Sequence, residues 1–175
     1  MSFSMSRASL PVIEIVLDAL TSLLDKAETF ATAKKIDPSV LLAWRIAPDM
    51  FPFSRQVQIV TDQAKNGCAR LAGIEAPRFE DTEKTIAELK ERIAKTKKFV
   101  QSIDPQAIDG AEDHAITFPL GPVNKGHMNS RAEYLNHYLL PNLYFHLTTA
   151  YAILRSCGIE VGKADYLGKI PMTRS

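Results

Sequence analysis

His146 and Asn142 stand four residues apart in YLNHYLLPNLYFHLTTAYAIL, a segment running from Tyr134 to Leu154 that is otherwise almost wholly apolar. That spacing is one helical turn, so an imidazole and an amide leave the same face of a helix. Buried, each costs free energy unless it finds a partner. The pair therefore predicts an answering group inside the fold: a side chain, a water, a metal or a ligand. With an ordinary pKa near ~6.5, the imidazole suits a hydrogen-bonded core histidine, a ligand- or metal-binding group, or a general base. His137 precedes His146 by nine residues, about half a turn out of phase, and should point elsewhere. Pro141 removes the helical hydrogen bond to the carbonyl of His137, which predicts a kink beside the two polar groups.

A second group of polar residues lies in AWRIAPDMFPFSRQVQIV: Arg45, Asp49, Arg55, Gln56 and Gln58, set among Trp44, Met50, Phe51 and Phe53. Gln56 falls one turn into a helix and can face the last long helix across a core. Asp49 reads most simply as a helix N-cap, or as the partner of Arg45 in an ion pair. A third group, His114 and His127, flanks a turn-rich stretch with Asp113 as the nearby carboxylate, and reads best as exposed loop residues. The sequence contains no glycine-rich phosphate loop, nucleophile elbow, paired-cysteine zinc motif or HExxH.

The elements that must position these groups follow from hydrophobic period. Ile13, Val16, Leu17, Leu20, Leu23, Leu24, Ala27 and Ala31 keep helical spacing, with Ser6 or Ser9 as the expected cap. Asp37-Pro38 opens a short helical turn that Ala47-Pro48 closes. A second long helix begins near Asp49 or Pro52 with the stripe Phe53, Val57, Val60, Ala64, Cys68 (or Gly67) and Leu71, and stops at Gly73. Asp81 or Thr82 caps a third, with the stripe Ile86, Leu89, Ile93, Phe99 or Val100, and Ile103. Its charge run, Glu83 to Lys98 with Arg92 in the middle, reads as a solvated face. Residues 107–129, with Pro119, Gly121, Pro122 and Gly126, fit a small β-hairpin. Asn129 or Ser130 caps the fourth long helix, with Glu133 completing a capping box, and Gly158 ends it. The fold class is all-α: a four-helix bundle with a short extra helix and a β-hairpin inserted before the last long helix. Residues 1–175 read as one domain with an irregular tail from about 159.

Composition narrows the function classes. At 175 residues, 46% apolar and 23% charged, the chain has room for one substantial core. A net charge of +1 gives no electrostatic footprint for nucleic acid. The polar interruptions of the longest apolar stretch argue against a membrane span, and the N-terminus does not read as a signal peptide. Cys68 and Cys157 lack metal-ligand spacing and fit reduced thiols in a cytoplasmic protein.

Three stretches, KKIDPSVLLAWRIAPDMFPFSRQVQIVTDQAK, ARLAGIEAPRFEDTEKTIAELKERIAKT and LPNLYFHLTTAYAILRSCGIEVGKADYLG, resemble an uncharacterised bacterial domain-of-unknown-function family of the DinB/YfiT-like superfamily. The resemblance covers nearly the whole chain and implies a DinB-like bundle, often dimeric. Better-known relatives are similar to thiol S-transferases and hydrolases that hold a divalent metal with three histidines, one from the second helix and two from an HxxxH pair on the fourth. In this sequence Asn142-Leu-Tyr-Phe-His146 fills the HxxxH position, so His146 alone matches a ligand. No histidine stands on the second helix, where Gln56 or Asp49 is the nearest polar substitute.

The leading expectation is a cytoplasmic small-molecule-binding or interaction protein with a degenerate metal triad. Its central polar pocket is formed by His146, Asn142, Gln56, Asp49 and Arg45. One rival is a zinc- or nickel-dependent transferase or hydrolase with His146 as a ligand. The other is a purely structural Asn142/His146 pair. The apolar surface of Trp44, Phe51 and Tyr151 leaves room for a homodimer.

Overall fold

The computed structural model describes residues 4–121 and 123–171; Pro122, expected in the hairpin turn, lies outside the described residues. Four long helical elements carry the core: α1 (Met5–Lys34), α3 (Phe53–Ala72), α4 (Ile86–Gln101) and a last helix that runs unbroken from α6 (Arg131–Glu133) through a π segment (Tyr134–Leu139) into α7 (Leu140–Ser156). Short helices α2 (Pro38–Ala43), α5 (Pro105–Ile108) and α8 (Lys163–Leu167) and the strands β1 (Ile116–Leu120) and β2 (Asn124–Met128) complete the order. α3 packs between α4 and α7, and α1 packs against α4, α3 and α7. The predicted stripe of α3 is fully enclosed: Phe53, Val57, Val60, Ala64, Cys68 and Leu71 all have no exposed surface. Among the described residues no helix is long and apolar enough to cross a membrane.

Several helix starts differ from expectation because the capping side chains have other partners. α1 begins at Met5, so Ser6 and Ser9 lie inside it. The Ser6 backbone N–H and hydroxyl donate to the Asp109 carboxylate at 2.8 and 2.7 Å, while the Ser9 hydroxyl turns back to the Met5 carbonyl at 2.8 Å. Asp37 does cap α2, accepting from the Ser39 N–H at 2.9 Å, but α2 stops at Ala43 rather than at Ala47-Pro48. α3 starts at Phe53 with Pro52 at the cap position, so Asp49 is not its N-cap. α4 starts at Ile86, later than Asp81 or Thr82. Thr85 caps it in a reciprocal box: Glu88 N–H to Thr85 Oγ1 at 3.2 Å, and Thr85 N–H to Glu88 Oε2 at 2.9 Å. Asp104-Pro105 ends one helix and opens another, since Asp104 caps α5.

The hairpin is present, antiparallel, with Phe118 opposite Gly126. Phe118 is the peg that fixes it to the bundle, its ring centroid 4.8 Å from that of Tyr134 and 4.4 Å from that of Tyr138. Ser130 accepts the Glu133 N–H at 3.0 Å, and Glu133 Oε2 reaches the Asn129 N–H at 3.0 Å. The last helix then departs from the α period. Its π segment hands over to α7 through a Leu140 N–H to Leu135 carbonyl bond, one residue wider than an α turn. Pro141 follows at the junction, inside the continuous helix, where it has no N–H to give to the turn before it. This segment also brings Leu139 onto Gly67 of α3, where a Cβ at Gly67 would lie 2.3 Å from a Leu139 methyl. Although the segment is almost wholly apolar, the helix is not buried all round: Tyr144 is 39% and Phe145 59% exposed. The tail beyond 159 contains α8, held to α1 by the Lys26–Asp165 ion pair at 2.8 Å.

Candidate binding site at the α3–α7 seam

Gln56 and His146 meet across the seam. Gln56 comes from the first turn of α3, where the 53/57/60 stripe turns position 56 toward α7; it is 2% exposed. Its amide nitrogen donates to the Phe51 carbonyl at 3.1 Å, so its oxygen faces His146 Nδ1 at 2.7 Å. A carbonyl oxygen only accepts, so the neutral imidazole carries its proton on Nδ1 and presents a bare Nε2. Burial, and then the positive charge of Arg55, hold the His146 pKa below its ordinary value, favouring that neutral form. Nε2 has no hydrogen-bond partner among the described residues.

Two of the pair's neighbours, Phe51 and Phe145, are exposed apolar side chains. The Phe145 ring lies edge-on to the imidazole, centroids 5.1 Å apart. Phe51, whose carbonyl fixes Gln56, is 56% exposed; Trp44, whose carbonyl accepts the Phe53 N–H at 2.8 Å, is 48% exposed. Ile46 belongs to the same exposed segment.

The other sequence candidates are not gathered here. Asn142 shares the face of His146, but its amide donates back to the Tyr138 carbonyl of its own helix at 2.7 Å. Asp49 and Arg45 are exposed in the segment between α2 and α3, and among the described residues no ion pair joins them and neither bonds to His146 or Gln56. His137 is exposed, as its phase implied, and so are His114 and His127, the latter bonded to Thr117 at 3.2 Å. In place of a central pocket there is a half-buried contact at the seam. Cavities of about 470 and 320 Å³ lie elsewhere, one beside Lys26, Phe30 and Ile159, the other under the α3–α4 connector.

This donor set does not fit a divalent metal. One imidazole nitrogen is open, the Gln56 amide is bonded at both ends, the Asn142 amide donates to its own helix, and the charge acting on the imidazole is the cationic Arg55. Among the described residues no three His, Cys, Asp or Glu side chains are grouped to hold an ion. Nor do the cysteines offer a reactive thiol here: burial pushes Cys68 up to about 12 and also raises Cys157.

A second polar cluster had no distinct signal in the sequence. Arg92, read there as part of a solvated face, has a side chain only 2% exposed. It donates to Thr61 Oγ1 at 2.7 Å, the Glu80 carbonyl at 3.0 Å, Glu83 at 3.0 Å and Asp62 at 2.8 Å, and it pairs with Asp81 at 3.0 Å. Burial opposes its charge, but the Glu83 hydrogen bond and the Asp62, Glu83 and Asp81 charges outweigh that and keep the guanidinium firmly protonated. Asp81 also binds Arg55, and Gln58 bridges Arg55 Nη1 (3.1 Å) to Glu83 (2.9 Å). Ion pairs and hydrogen bonds thus close a ring: Arg55, Asp81, Arg92, Glu83, Gln58 and back to Arg55. Phe79 sits between the Lys65 and Arg92 cations, at 4.7 and 5.5 Å.

The helical bundle with its inserted hairpin defines a DinB-like protein. It matches the crystal structure of a DinB family member protein from Shewanella denitrificans with a TM-score of 0.88 and 39% identity, over 98% of this chain and 96% of that one. The chain belongs to the domain of unknown function family DUF1993, whose profile matches residues 5–167. No curated protein matches it.

Proposed function

We propose that this chain is a metal-independent binding protein that takes a small, largely apolar molecule bearing one hydrogen-bond donor. The observation that carries the reading is the orientation of His146: Gln56 occupies Nδ1 and leaves Nε2 as an acceptor on an imidazole that lies edge-on to the Phe145 ring. A donor group of the ligand would bond Nε2, and its apolar body would cover Phe51, Phe145 and Trp44. Taking side chains of roughly 150–250 Å² at about half exposure, Trp44, Ile46, Phe51 and Phe145 offer on the order of 400 Å². A stable protein interface takes about 800 Å² from each partner, so the area favours a small ligand over a second copy of the chain. The free thiols Cys68 and Cys157 support a reducing, cytoplasmic setting.

The test is an NMR titration of the imidazole nitrogens with phenol and indole as probes. Binding is expected to shift His146 Nε2, with the shift lost in His146→Ala and weakened in Phe145→Ala. No shift at millimolar probe would sink the proposal. Stoichiometric zinc or nickel in the purified protein, lost in His146→Ala, would establish the metal-dependent alternative instead. A dimer that dissociates in Phe145→Asp and binds neither probe would turn the same face into a homodimer contact.

A further inference from the structure

At two points seven residues either side of Gln63, α3 hands a polar side chain to the last helix. Gln56 meets His146 Nδ1 at 2.7 Å, and Arg70 Nη1 donates to the Tyr134 hydroxyl at 2.9 Å. Seven residues bring an α-helix back to within about 20° of the same face, so Gln63 also lies on the seam. Further along that face Gly67 packs against Leu139, which closes the interval on its other side. The Gln63 amide oxygen is enclosed and has no hydrogen-bond partner. Among the described residues it is the only buried side-chain nitrogen or oxygen of which that is true. Leaving such an oxygen unpaired is unfavourable, and buried polar groups in folded proteins nearly always bond to protein or to water.

On the last helix the matching interval runs from Leu139 to His146, and Asn142 and Leu143 turn toward α3 within it. Leu143 is fully buried in the core, which leaves the edge of the seam to Asn142; Asn142 and Gln63 are both half-buried. The Asn142 amide nitrogen is engaged by the Tyr138 carbonyl, and its oxygen receives no donor from the described residues. Two acceptors therefore occupy one stretch of the seam, and only a group with two donors can join them. We propose that Gln63 and Asn142 hold a structural water that donates one proton to each amide oxygen. It forms the middle rung between the Gln56–His146 and Arg70–Tyr134 contacts. A water carries both donors, and the half-buried edge keeps its own oxygen within reach of solvent. A divalent cation is the poorer occupant, because two neutral amide oxygens bring no carboxylate. The rung requires no ligand at His146.

A crystal structure of the full chain at high resolution should show one water within hydrogen-bond distance of both oxygens. Thermal unfolding supplies a second, independent readout through its sign. Gln63→Met keeps the side-chain length and removes the oxygen. If that oxygen holds a water, the melting temperature falls by a few degrees; if it is unpaired, its removal relieves a penalty and the melting temperature rises. Asn142→Ala should also lower it, and the double variant should lose less than the sum, since both substitutions remove the same water. The proposal is overturned by a rise or no change in Gln63→Met, by additive losses, or by density with no water between the two amides. It is equally overturned if the Gln63 amide is turned over, so that its nitrogen bonds Asn142 directly.

Discussion

Gln56 Oε1 lies 2.7 Å from His146 Nδ1, although ninety residues separate them in the chain. The contact fixes a tautomer, and that makes it testable without any ligand. Gln56→Glu places a carboxylate opposite Nδ1, which favours the imidazolium. The His146 pKa should then rise, read from the ring-proton shifts. A value equal to or below that of the wild type would mean the amide does not face the ring. Gln56→Leu leaves Nδ1–H and the Phe51 carbonyl unpaired and should cost about 1–3 kcal/mol in denaturant unfolding.

Acid should weaken the fold through His146 in a defined window. Its folded pKa lies below the ordinary 6.5, by burial and by Arg55, so the unfolded chain binds more protons between those two values. Stability from this group is intact above about 6.5 and declines as pH falls toward the folded pKa. The difference in unfolding free energy between wild type and His146→Gln should therefore shrink on acidification across that window. A pH-independent difference would contradict the assignment.

Arg92→Met removes the cation that several carboxylates and a carbonyl share. Breaking a buried ion pair from one side costs about 3–5 kcal/mol. At roughly 2–4 °C per kcal/mol for a chain of this size, the melting temperature should fall by on the order of 10 °C. Hydrogen exchange should speed first in residues 74–85. A loss under about 1 kcal/mol would mean that the ring is not a stabilising element.

Gly67→Ala pushes a methyl group into Leu139, which is fully buried and has little room to move. Overpacking of this kind costs about 1–3 kcal/mol. Leu139→Ala in the same chain should return part of that loss, so the two substitutions are expected to be strongly non-additive. Strict additivity would place the two residues out of contact.

Much of this architecture is readable from the chain, and the exceptions have physical causes. The α3 stripe and the stop at Gly73 follow from a strict helical period and a left-handed glycine, φ 70°. Helix starts were less legible, because a serine or aspartate caps only if nothing else engages it, and Ser6 is engaged by Asp109. Gln56 and His146 were each visible as polar groups on apolar faces, yet nothing local links them. Arg92 was hidden entirely. It sits among charges of both signs, and its partners Thr61, Asp62, Asp81 and Glu83 come from other turns of the chain. Asn142 was misleading in the opposite way, since its amide had a carbonyl available one turn back in its own helix. The π segment left no trace, because an unbroken apolar run fits more than one period.

That segment makes the site a matter of counting. A wide turn accommodates one residue more than an α-helix would between the same two anchor points. Deleting a single residue between Tyr134 and Leu139 would let the helix relax to the ordinary repeat and keep its length of contact with the bundle. Everything after the deletion would then keep its phase, leaving His146 on the seam opposite Gln56, whereas a deletion in the regular α repeat between Leu140 and His146 would swing the imidazole by about 100°. The wide turn therefore gives the chain slack of one residue upstream of His146, which can be lost without changing the face that the imidazole takes.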